Sequence, residues 1–181
     1  MSEARIEIFD HNHEPSEVQL EAVCDLFRRA LPVFDEEGGA EKAKVIALRQ
    51  TPNDYRALLQ SKTLLLAYDT RQQVAGLLEW HLQEQENVMV VYITWLLVDP
   101  SARRQGIATQ LHQEFERTCV PAVLQAAQKT VYQSLTVHLK NEGALQMYRD
   151  WGYAKDGVPQ WNDGRRLCLG KECLLHPREI G

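Results

Sequence analysis

The chain of 181 residues has no run of apolar residues that approaches the roughly 20 needed to span a bilayer, so no transmembrane segment is expected. The N-terminal stretch MSEARIEIFD lacks the apolar core of a secretory signal. No block of like charge occurs among the 20 basic and 25 acidic residues, and the net charge of −5 argues against nucleic-acid binding by bulk electrostatics. These absences predict a cytoplasmic protein without a membrane or nucleic-acid partner.

Cysteine is also scarce, with four widely spread residues that we expect to remain free thiols in a reducing compartment: Cys24, Cys119, Cys168 and Cys173. The last two are five positions apart, and this odd spacing places them on opposite faces of a strand, where they are poor co-ligands. His11 and His13 precede Pro15 in a stretch typical of a solvated turn. The sequence therefore predicts no metal site.

The chain is long enough for one sizeable core, and 44% of its residues are hydrophobic. No internal repeat, linker or low-complexity segment divides it. We therefore expect a single domain over residues 1–181.

Alternation of apolar and polar residues predicts strands in RIEIFDH, TLLLAYD, QVAGLLEWHLQ, VMVVYITWLLV, SLTVHL, GYAKDG and RRLCLGKECLL. The short QEQEN connection favours an antiparallel hairpin between the third and fourth strands, and NDG offers a tight turn between the last two.

Helical spacing predicts a first helix in SEVQLEAVCDLFRRALP, with Ser16 as N-cap and Pro32 as the stop. VFDEEGG is predicted to be an acidic loop, and Lys42 to Leu59 to form one or two short helices interrupted at TPND. A further helix runs from Gly106 to about Val120, where Pro121 ends or kinks it. NEGALQMYRDW forms the last helix.

The sheet must be mixed, because the middle strands form a hairpin whereas SLTVHL returns after a crossover helix. The expected fold is therefore an α/β (or α+β) three-layer domain.

The segment LLVDPSARRQGIATQL, residues 96–111, joins a buried strand to a helix that we expect to start near Arg104. The first N–H groups of this helix, from Arg104 through Thr109, have no intrahelical partners and face the positive end of the helix dipole, which makes them an anion site. Gly106 lets a phosphate approach the backbone, and Arg103 adds positive charge. A solvated loop is the alternative interpretation.

Two spaced motifs occur in the second half of the chain. The first, (Q/R)-x-x-G-x-(G/A), is present as Arg103, Gly106 and Ala108. The second, N-x-x-A-x-x-x-Y-x-x-x-G-(F/Y), is present in NEGALQMYRDWGY at Asn141, Ala144, Tyr148, Gly152 and Tyr153. These motifs resemble those of the GNAT superfamily of N-acetyltransferases, and they occur in the family order with a strand between them. The resemblance covers about residues 5–175 and is clearest from Val88 to Tyr153.

The resemblance implies a GNAT-like three-layer fold with a central, mostly antiparallel sheet of about six to seven strands, splayed in the middle and flanked by helices. It implies an acetyltransferase that moves the acetyl group of acetyl-coenzyme A directly to a primary amine of a small molecule or peptide, within a ternary complex. The cofactor-binding residues that it implies are Leu96, Leu97, Val98, Arg103, Arg104, Gln105, Gly106, Ile107, Ala108, Thr109, Asn141, Ala144 and Tyr148. A homodimer is also implied, although the sequence shows no interface pattern.

By this resemblance, the main chain of Leu96 to Val98 binds the pantetheine arm and Tyr148 protonates the departing thiolate. Asn141 and Tyr148 are seven residues apart, nearly two helical turns, which predicts that they share one face. The alternative is that Tyr148 belongs to an aromatic core with Met147, Trp151 and Tyr153.

A base must deprotonate the attacking amine, but the fourth strand, where some family members carry a glutamate, reads VYITWL without a carboxylate. Glu79 and His81 on the neighbouring strand share one face by period-two alternation. We predict Glu79 as the base or as the anchor of a water chain, with His81 as the second candidate. The alternative for Glu79 is exposure to solvent or pairing with an arginine.

The motifs do not specify the acceptor. Acidic residues at Asp35 to Glu37, Glu84 and Glu86 would favour a cationic one, whereas solvated loop charge is the alternative. A non-catalytic acyl-coenzyme A sensor with the same fold is the alternative function. A nucleotide-phosphate enzyme is disfavoured, since neither G-x-x-x-x-G-K-(S/T) nor G-x-G-x-x-G occurs.

Overall fold

The computed structural model describes residues 4–10, 12–31, 36–85, 87–127, 129–155 and 166–173. Six strands form one sheet in chain order: β1 (Arg5–Phe9), β2 (Thr63–Tyr68), β3 (Val74–Gln85), β4 (Val88–Val98), β5 (Thr130–His138) and β6 (Arg166–Cys173). Six α-helices are described: α1 (Glu17–Ala30), α2 (Glu36–Ala47), α3 (Pro52–Leu58), α4 (Ile107–Glu114), α5 (Val120–Ala126) and α6 (Glu142–Asp150).

The sheet is mixed, as predicted. Strands β4 and β5 are parallel, whereas the β1–β2, β2–β3 and β5–β6 pairs are antiparallel. Only two residues connect the neighbouring strands β3 and β4, and so short a connection makes them an antiparallel hairpin. The predicted α/β class, with six strands and flanking helices, is confirmed.

The chain divides into two compact units, and the first contains Met1–Trp80 and Trp95–Phe115. Helix α1 begins with a capping box in which Ser16 and Gln19 satisfy each other's backbone N–H groups, as the predicted N-cap requires. Helix α3 begins in the same way at Thr51 and Asp54, with Pro52 in its first turn. The buried face of α1 packs on the sheet in a core that includes Leu20, Phe27, Leu64, Leu66 and Leu77.

The second unit contains His81–Thr94 and Glu116–Gly181, with α5, α6, β5 and β6. Strands β5 and β6 pair over their whole described length, from Val131 with Cys173 to His138 with Arg166. The prediction of a single domain over 1–181 stays a prediction.

Several predicted boundaries were wrong. Helix α2 begins at Glu36, within the stretch predicted as an acidic loop. The helix predicted from Gly106 to about Val120 ends at Glu114, and a π-helical turn, Phe115–Cys119, leads into α5. Pro121 lies in the first turn of α5, directly after this π-helical turn. In GYAKDG, Ala154 forms an isolated bridge with Gly170, while the predicted NDG turn lies outside the described residues.

None of the described helices has the length and apolar character required to cross a membrane. Within the same residues, no three His, Cys, Asp or Glu side chains lie close enough together to bind a metal ion. The four cysteines are buried and form no disulfide.

Candidate active site

The anion loop lies in the first unit, between β4 and α4. A short 3₁₀ turn, Pro100–Ala102, follows the strand, and two residues then adopt the left-handed region, Arg104 (φ 63°) and Gly106 (φ 81°). Where left-handed residues alternate with residues of other conformations, successive backbone N–H groups can point into one concave surface that binds an anion. Helix α4 begins at Ile107, three residues later than expected, because the left-handed Gly106 is its N-cap. No side chain caps this N-cap position, so the first N–H groups of α4 are not used by a cap.

Contacts to the rest of the unit hold the loop. The Asp99 N–H donates to Ala75 O at 2.8 Å, and the Asp99 carboxylate accepts from Arg29 at 2.9 Å. The hydrogen bond from the Ser101 hydroxyl, together with the Arg29 guanidinium, lowers the pKa of Asp99 below its usual value. Asp99 thus remains ionised and ties the loop to α1.

Gly76 on β3, which sequence analysis missed, lets α4 approach the sheet. A Cβ at this position would lie 2.8 Å from Ile107 Cγ2, 3.1 Å from Leu97 O and 3.2 Å from Leu111 Cδ1. A glycine inside a strand often marks such a close approach. Gly76 therefore sets how close the first turn of α4 lies to the end of β4.

The predicted cofactor-binding residues of this unit lie along one continuous segment. Leu97 and Ile107 are buried, Leu96, Val98, Gly106 and Ala108 are partly buried, and Arg103, Arg104, Gln105 and Thr109 are exposed. Arg103 directs its guanidinium to Ala30 O at 3.5 Å. The pairs between β4 and β5 run from Val88 with Thr130 to Ile93 with Leu135, whereas β4 itself continues to Val98.

The second motif lies in the second unit. Asn141 is the N-cap of α6, and its side-chain oxygen accepts a hydrogen bond from Ala144 N at 3.3 Å. Gly152 follows the helix in the left-handed region (φ 86°), and Tyr153 N donates to Tyr148 O at 3.0 Å. These bonds form a Schellman-type end to the helix. Asn141 therefore starts α6, and Gly152 and Tyr153 end it.

Tyr148 lies in the last turn of α6 and is buried. Its ring packs edge-on against Trp151 at 5.7 Å and Tyr153 at 5.9 Å between centroids. These contacts with Trp151 and Tyr153 are part of the aromatic core that sequence analysis gave as the alternative, and the catalytic role of Tyr148 stays a prediction. Burial raises the pKa of the Tyr148 hydroxyl above its usual value, so the hydroxyl remains protonated at neutral pH.

A polar network that sequence analysis missed fixes Tyr153 behind Tyr148. The Tyr153 hydroxyl donates to Gln133 Oε1 at 2.5 Å, and Lys171 Nζ lies 4.7 Å from the centre of the Tyr153 ring. Lys171 also bonds to Glu116 and donates to Trp151 O at 3.1 Å. The motif signalled Tyr153, but nothing in the sequence pointed to its partners.

Glu79, in the first unit, is fully buried on β3. Tyr55 Oη donates to Glu79 Oε2 at 2.6 Å, and Lys62 Nζ lies 2.5 Å from Oε1. Arg49 Nη2 is 3.8 Å from the same oxygen. Glu79 thus has three partners, one of which is Arg49. Pairing with an arginine was the alternative that sequence analysis gave for Glu79.

His81, in the second unit, is partly buried. Its Nδ1 is 3.0 Å from Thr94 Oγ1, and its ring lies 5.4 Å from that of Tyr92. Tyr92 Oη in turn is 2.9 Å from Thr136 Oγ1. His81 thus contacts Thr94 and Tyr92 on β4, and Gln83 Nε2 lies 3.0 Å from its other ring nitrogen.

Of the acidic residues predicted to favour a cationic acceptor, Glu84 forms an ion pair with Lys129 at 2.5 Å. Glu36 and Glu37 lie in the first turn of α2, with side chains outside the description. Asp35 and Glu86 lie outside the described residues. Glu84 is the member of this set whose side chain is described, and Lys129 neutralises its charge.

The model of the acetyltransferase (GNAT) domain matches residues 30–168. The chain belongs to the GNAT acetyltransferase family. This confirms the assignment drawn from the two motifs and places the protein in the enzyme class that the sequence predicted. Among curated proteins, no sequence matches this GNAT protein significantly.

Solved structures similar to this GNAT protein share its fold at low identity. The PaiA N-acetyltransferase of Thermoplasma acidophilum, in complex with coenzyme A, is 17% identical, with a TM-score of 0.66 over 93% of this chain and 99% of that one. The GNAT family N-acetyltransferase YhbS of Escherichia coli, in complex with CoA, is 19% identical, with a TM-score of 0.62 over 94% and 81%. A chain of the NatC complex bound to Gag peptide and CoA is 18% identical, with a TM-score of 0.62 over 96% and 100%.

Proposed function

We propose that this protein transfers the acetyl group of acetyl-coenzyme A directly to a primary amine within a ternary complex. The observation that carries the proposal is the anion loop, in which left-handed Arg104 and Gly106 precede a helix whose N-cap has no side-chain bond. This geometry suits a pyrophosphate. The CoA complexes of PaiA and YhbS, which have the same fold, support acetyl-coenzyme A as the co-substrate.

In this proposal the N–H groups from Arg104 through Thr109 bind the pyrophosphate, including those of Gln105, Ile107 and Ala108, and Arg103 and Arg104 add charge from the exposed side of the loop. The main chain of Leu96, Leu97 and Val98 binds the pantetheine arm and donates to the thioester oxygen as negative charge develops on it. The second motif assigns Asn141, Ala144 and Tyr148 to cofactor binding as well.

The chemical step forms one bond and breaks one. The amine nitrogen attacks the thioester carbonyl carbon, the C–S bond breaks, and the sulfur leaves as a thiolate while the amine loses a proton. Tyr148 donates a hydrogen bond to the thiolate. Because burial raises the pKa of Tyr148 and an ordinary thiol has a pKa near 8.5, we assign Tyr148 to stabilising the thiolate rather than to holding its final proton.

Sequence analysis predicted Glu79 as the base, and that role remains a proposal to be tested beside His81. Glu79 is fully buried and bonded to Tyr55 and Lys62, which favours a role at a distance over direct contact with the amine. His81 is partly buried, with Thr94 Oγ1 3.0 Å from Nδ1 and Gln83 Nε2 3.0 Å from Nε2. A base must come within hydrogen-bond distance of the proton that it removes. Glu79 can still act as the anchor of a water chain.

The acceptor is a small-molecule or peptide amine. The NatC relative, bound to a peptide, supports a peptide amine, whereas the family as a whole leaves both classes open. A cationic acceptor, a homodimer and a cytoplasmic location stay predictions from the sequence.

The test is release of free thiol from acetyl-coenzyme A over a panel of aminoglycosides, polyamines, amino acids and peptides. We expect turnover with at least one class. Gly106→Val should abolish acetyl-coenzyme A binding in calorimetric titration, because a branched side chain is strained at φ 81° and fills the space of the pyrophosphate. Tight binding without thiol release for any amine would instead support the alternative function, a non-catalytic acyl-coenzyme A sensor.

A further inference from the structure

A buried cation lies among aromatic rings in the first unit. The Arg49 guanidinium lies 4.5 Å from the ring centre of Phe27, 5.5 Å from that of Tyr55 and 5.8 Å from that of Trp95, and Arg49 is only 4% exposed. Together with Glu79, these residues form what we call the Arg49 cluster. Arginine is rarely buried so completely unless its charge and donors are matched.

The charges around this cluster do not balance. Within the described residues, Glu79 is the one carboxylate that pairs with Arg49, and it also pairs with Lys62. One buried carboxylate therefore faces two cations. The Lys62 side chain is 17% exposed, whereas that of Arg49 is 5% exposed, so it is the Arg49 charge that lacks both water and a carboxylate of its own and favours an anion.

Two donors of the cluster also lack acceptors. Arg49 Nε and Trp95 Nε1 are both buried, and neither has a hydrogen-bond partner among the described residues. Buried donors in native proteins are nearly always paired, so an orphaned donor points to a ligand or an ordered water at that place. Here the two orphaned donors belong to side chains whose guanidinium and ring are in contact.

The position of the cluster relates these donors to the reaction. Trp95 directly precedes Leu96, the first of the residues proposed to bind the pantetheine arm. Trp95 is also more exposed than Phe27, Arg49, Tyr55 and Glu79, which are all buried. Of these five residues, Trp95 is therefore the one that solvent reaches most, and it lies on the strand proposed to bind the pantetheine arm.

We propose that the acceptor is a primary amine that also carries a carboxylate, such as an amino acid, and that this carboxylate binds Arg49 Nε–H and Trp95 Nε1–H. The inference rests on the proposed acetyl transfer and names its substrate class. A carboxylate supplies negative charge, and its two oxygens can each accept one of these hydrogen bonds. In an α-amino acid the amine and the carboxylate share one carbon atom, so fixing the carboxylate also fixes the nucleophile.

The experiment compares L-amino acids with their C-terminal amides in the thiol-release assay. The amide has the less basic amine, so more of it is unprotonated at neutral pH and on chemical grounds alone it should react faster. We expect the opposite order, with a higher kcat/KM for the free acid. Equal or better use of the amides would overturn the inference while leaving acetyl transfer intact.

Trp95→Phe is the decisive variant, because it keeps the aromatic packing and removes one donor. We expect KM for the acid to rise about tenfold to a hundredfold, the usual effect of losing a hydrogen bond to a charged group, with little change for the amide. Trp80→Phe is the matched control: Trp80 Nε1 is also buried without a partner among the described residues, but its ring packs on Phe115. An equal effect in both variants contradicts the inference.

Binding is also measured without turnover. In the presence of coenzyme A, a free amino acid should raise the melting temperature of the wild type, and this rise should shrink in Trp95→Phe. Arg49→Lys keeps the charge that neutralises Glu79 but loses the planar donors, and should have the same effect. If no amino acid stabilises the wild type and no amine releases thiol, both the inference and the acetyl transfer fail.

Discussion

Replacing Gly76 by alanine tests whether the approach of α4 to the sheet controls cofactor binding. The added methyl group would lie 2.8 Å from Ile107 Cγ2 and 3.1 Å from Leu97 O. Carbon atoms in ordinary contact are about 3.5–4.0 Å apart, so the methyl groups would be about 1 Å too close. Isoleucine in a helix is nearly locked at χ1, and Leu97 O is main chain, so α4 itself must move.

The expected magnitude follows from overpacking. Inserting a methyl group into a filled site costs about 1–3 kcal/mol, which for a protein of this size lowers the melting temperature by roughly 2–12 °C. A shift of α4 by about 1 Å also lengthens the hydrogen bonds that its first turn would make to the pyrophosphate. We therefore expect acetyl-coenzyme A to bind about tenfold to a hundredfold more weakly, measured by calorimetric titration.

Two variants separate this cause from a general loss of stability. Ile107→Leu lacks the Cγ2 methyl and should restore part of the affinity in combination with Gly76→Ala, which is a coupling that a double-mutant cycle measures. Gly143→Ala is the matched control, since a Cβ there meets nothing within 4 Å and alanine favours a helix over glycine. Unchanged melting temperature and affinity in Gly76→Ala would refute the reasoning.

Three further predictions concern stabilisation of the thiolate, proton transfer and acid stability. Tyr148→Phe keeps the ring contacts and should lower kcat about 10²- to 10³-fold, as expected on losing one hydrogen bond to developing negative charge, with little change in acetyl-coenzyme A affinity; a normal kcat would show that the hydroxyl is structural. Glu79→Gln should lower kcat and remove the acidic limb of the pH profile if Glu79 is the base or anchors a water chain; if the limb survives, His81→Asn should remove it, and a limb that survives in both variants would contradict both candidates. Hydrogen bonds from Arg5 and Tyr68 lower the pKa of Glu7 in the folded protein. Glu7 therefore stabilises the fold fully above about pH 4.3, the pKa of an unfolded glutamate. This contribution is lost as the pH falls through the lower pKa of the folded state. The difference in melting temperature between wild type and Glu7→Gln should therefore shrink on acidification, and a constant difference would contradict this.

Local patterns predicted much of the fold because they act over a few residues. Ser16 caps α1, and Pro52 occupies the first turn of α3, as their spacing implied. The two motifs led to the family because each consists of residues within one turn or helix. The start of α4 was missed, since only the left-handed conformation at Gly106 shows that the helix begins after the glycine.

Contacts between residues far apart along the chain were not predicted from the sequence. The partners of Glu79 are Arg49, Tyr55 and Lys62, from three segments before the strand, and no periodicity links them to it. The burial of Glu79 and its pairing with these side chains depend on tertiary packing, so the sequence alone did not predict them. Gly76 was missed for the same reason, because its neighbour Ile107 lies 31 positions later in the sequence.

The Schellman-type end of α6 places Tyr148 at the point where a helix ordinarily frays. The amides of Gly152 and Tyr153 are held by Arg149 O and Tyr148 O, so they can exchange with solvent only when this last turn opens. Hydrogen exchange at these two amides thus reports the opening of the backbone that carries Tyr148. A coenzyme that contacts Tyr148 would slow their exchange, which makes the end of α6 a sensor of whether the site is occupied.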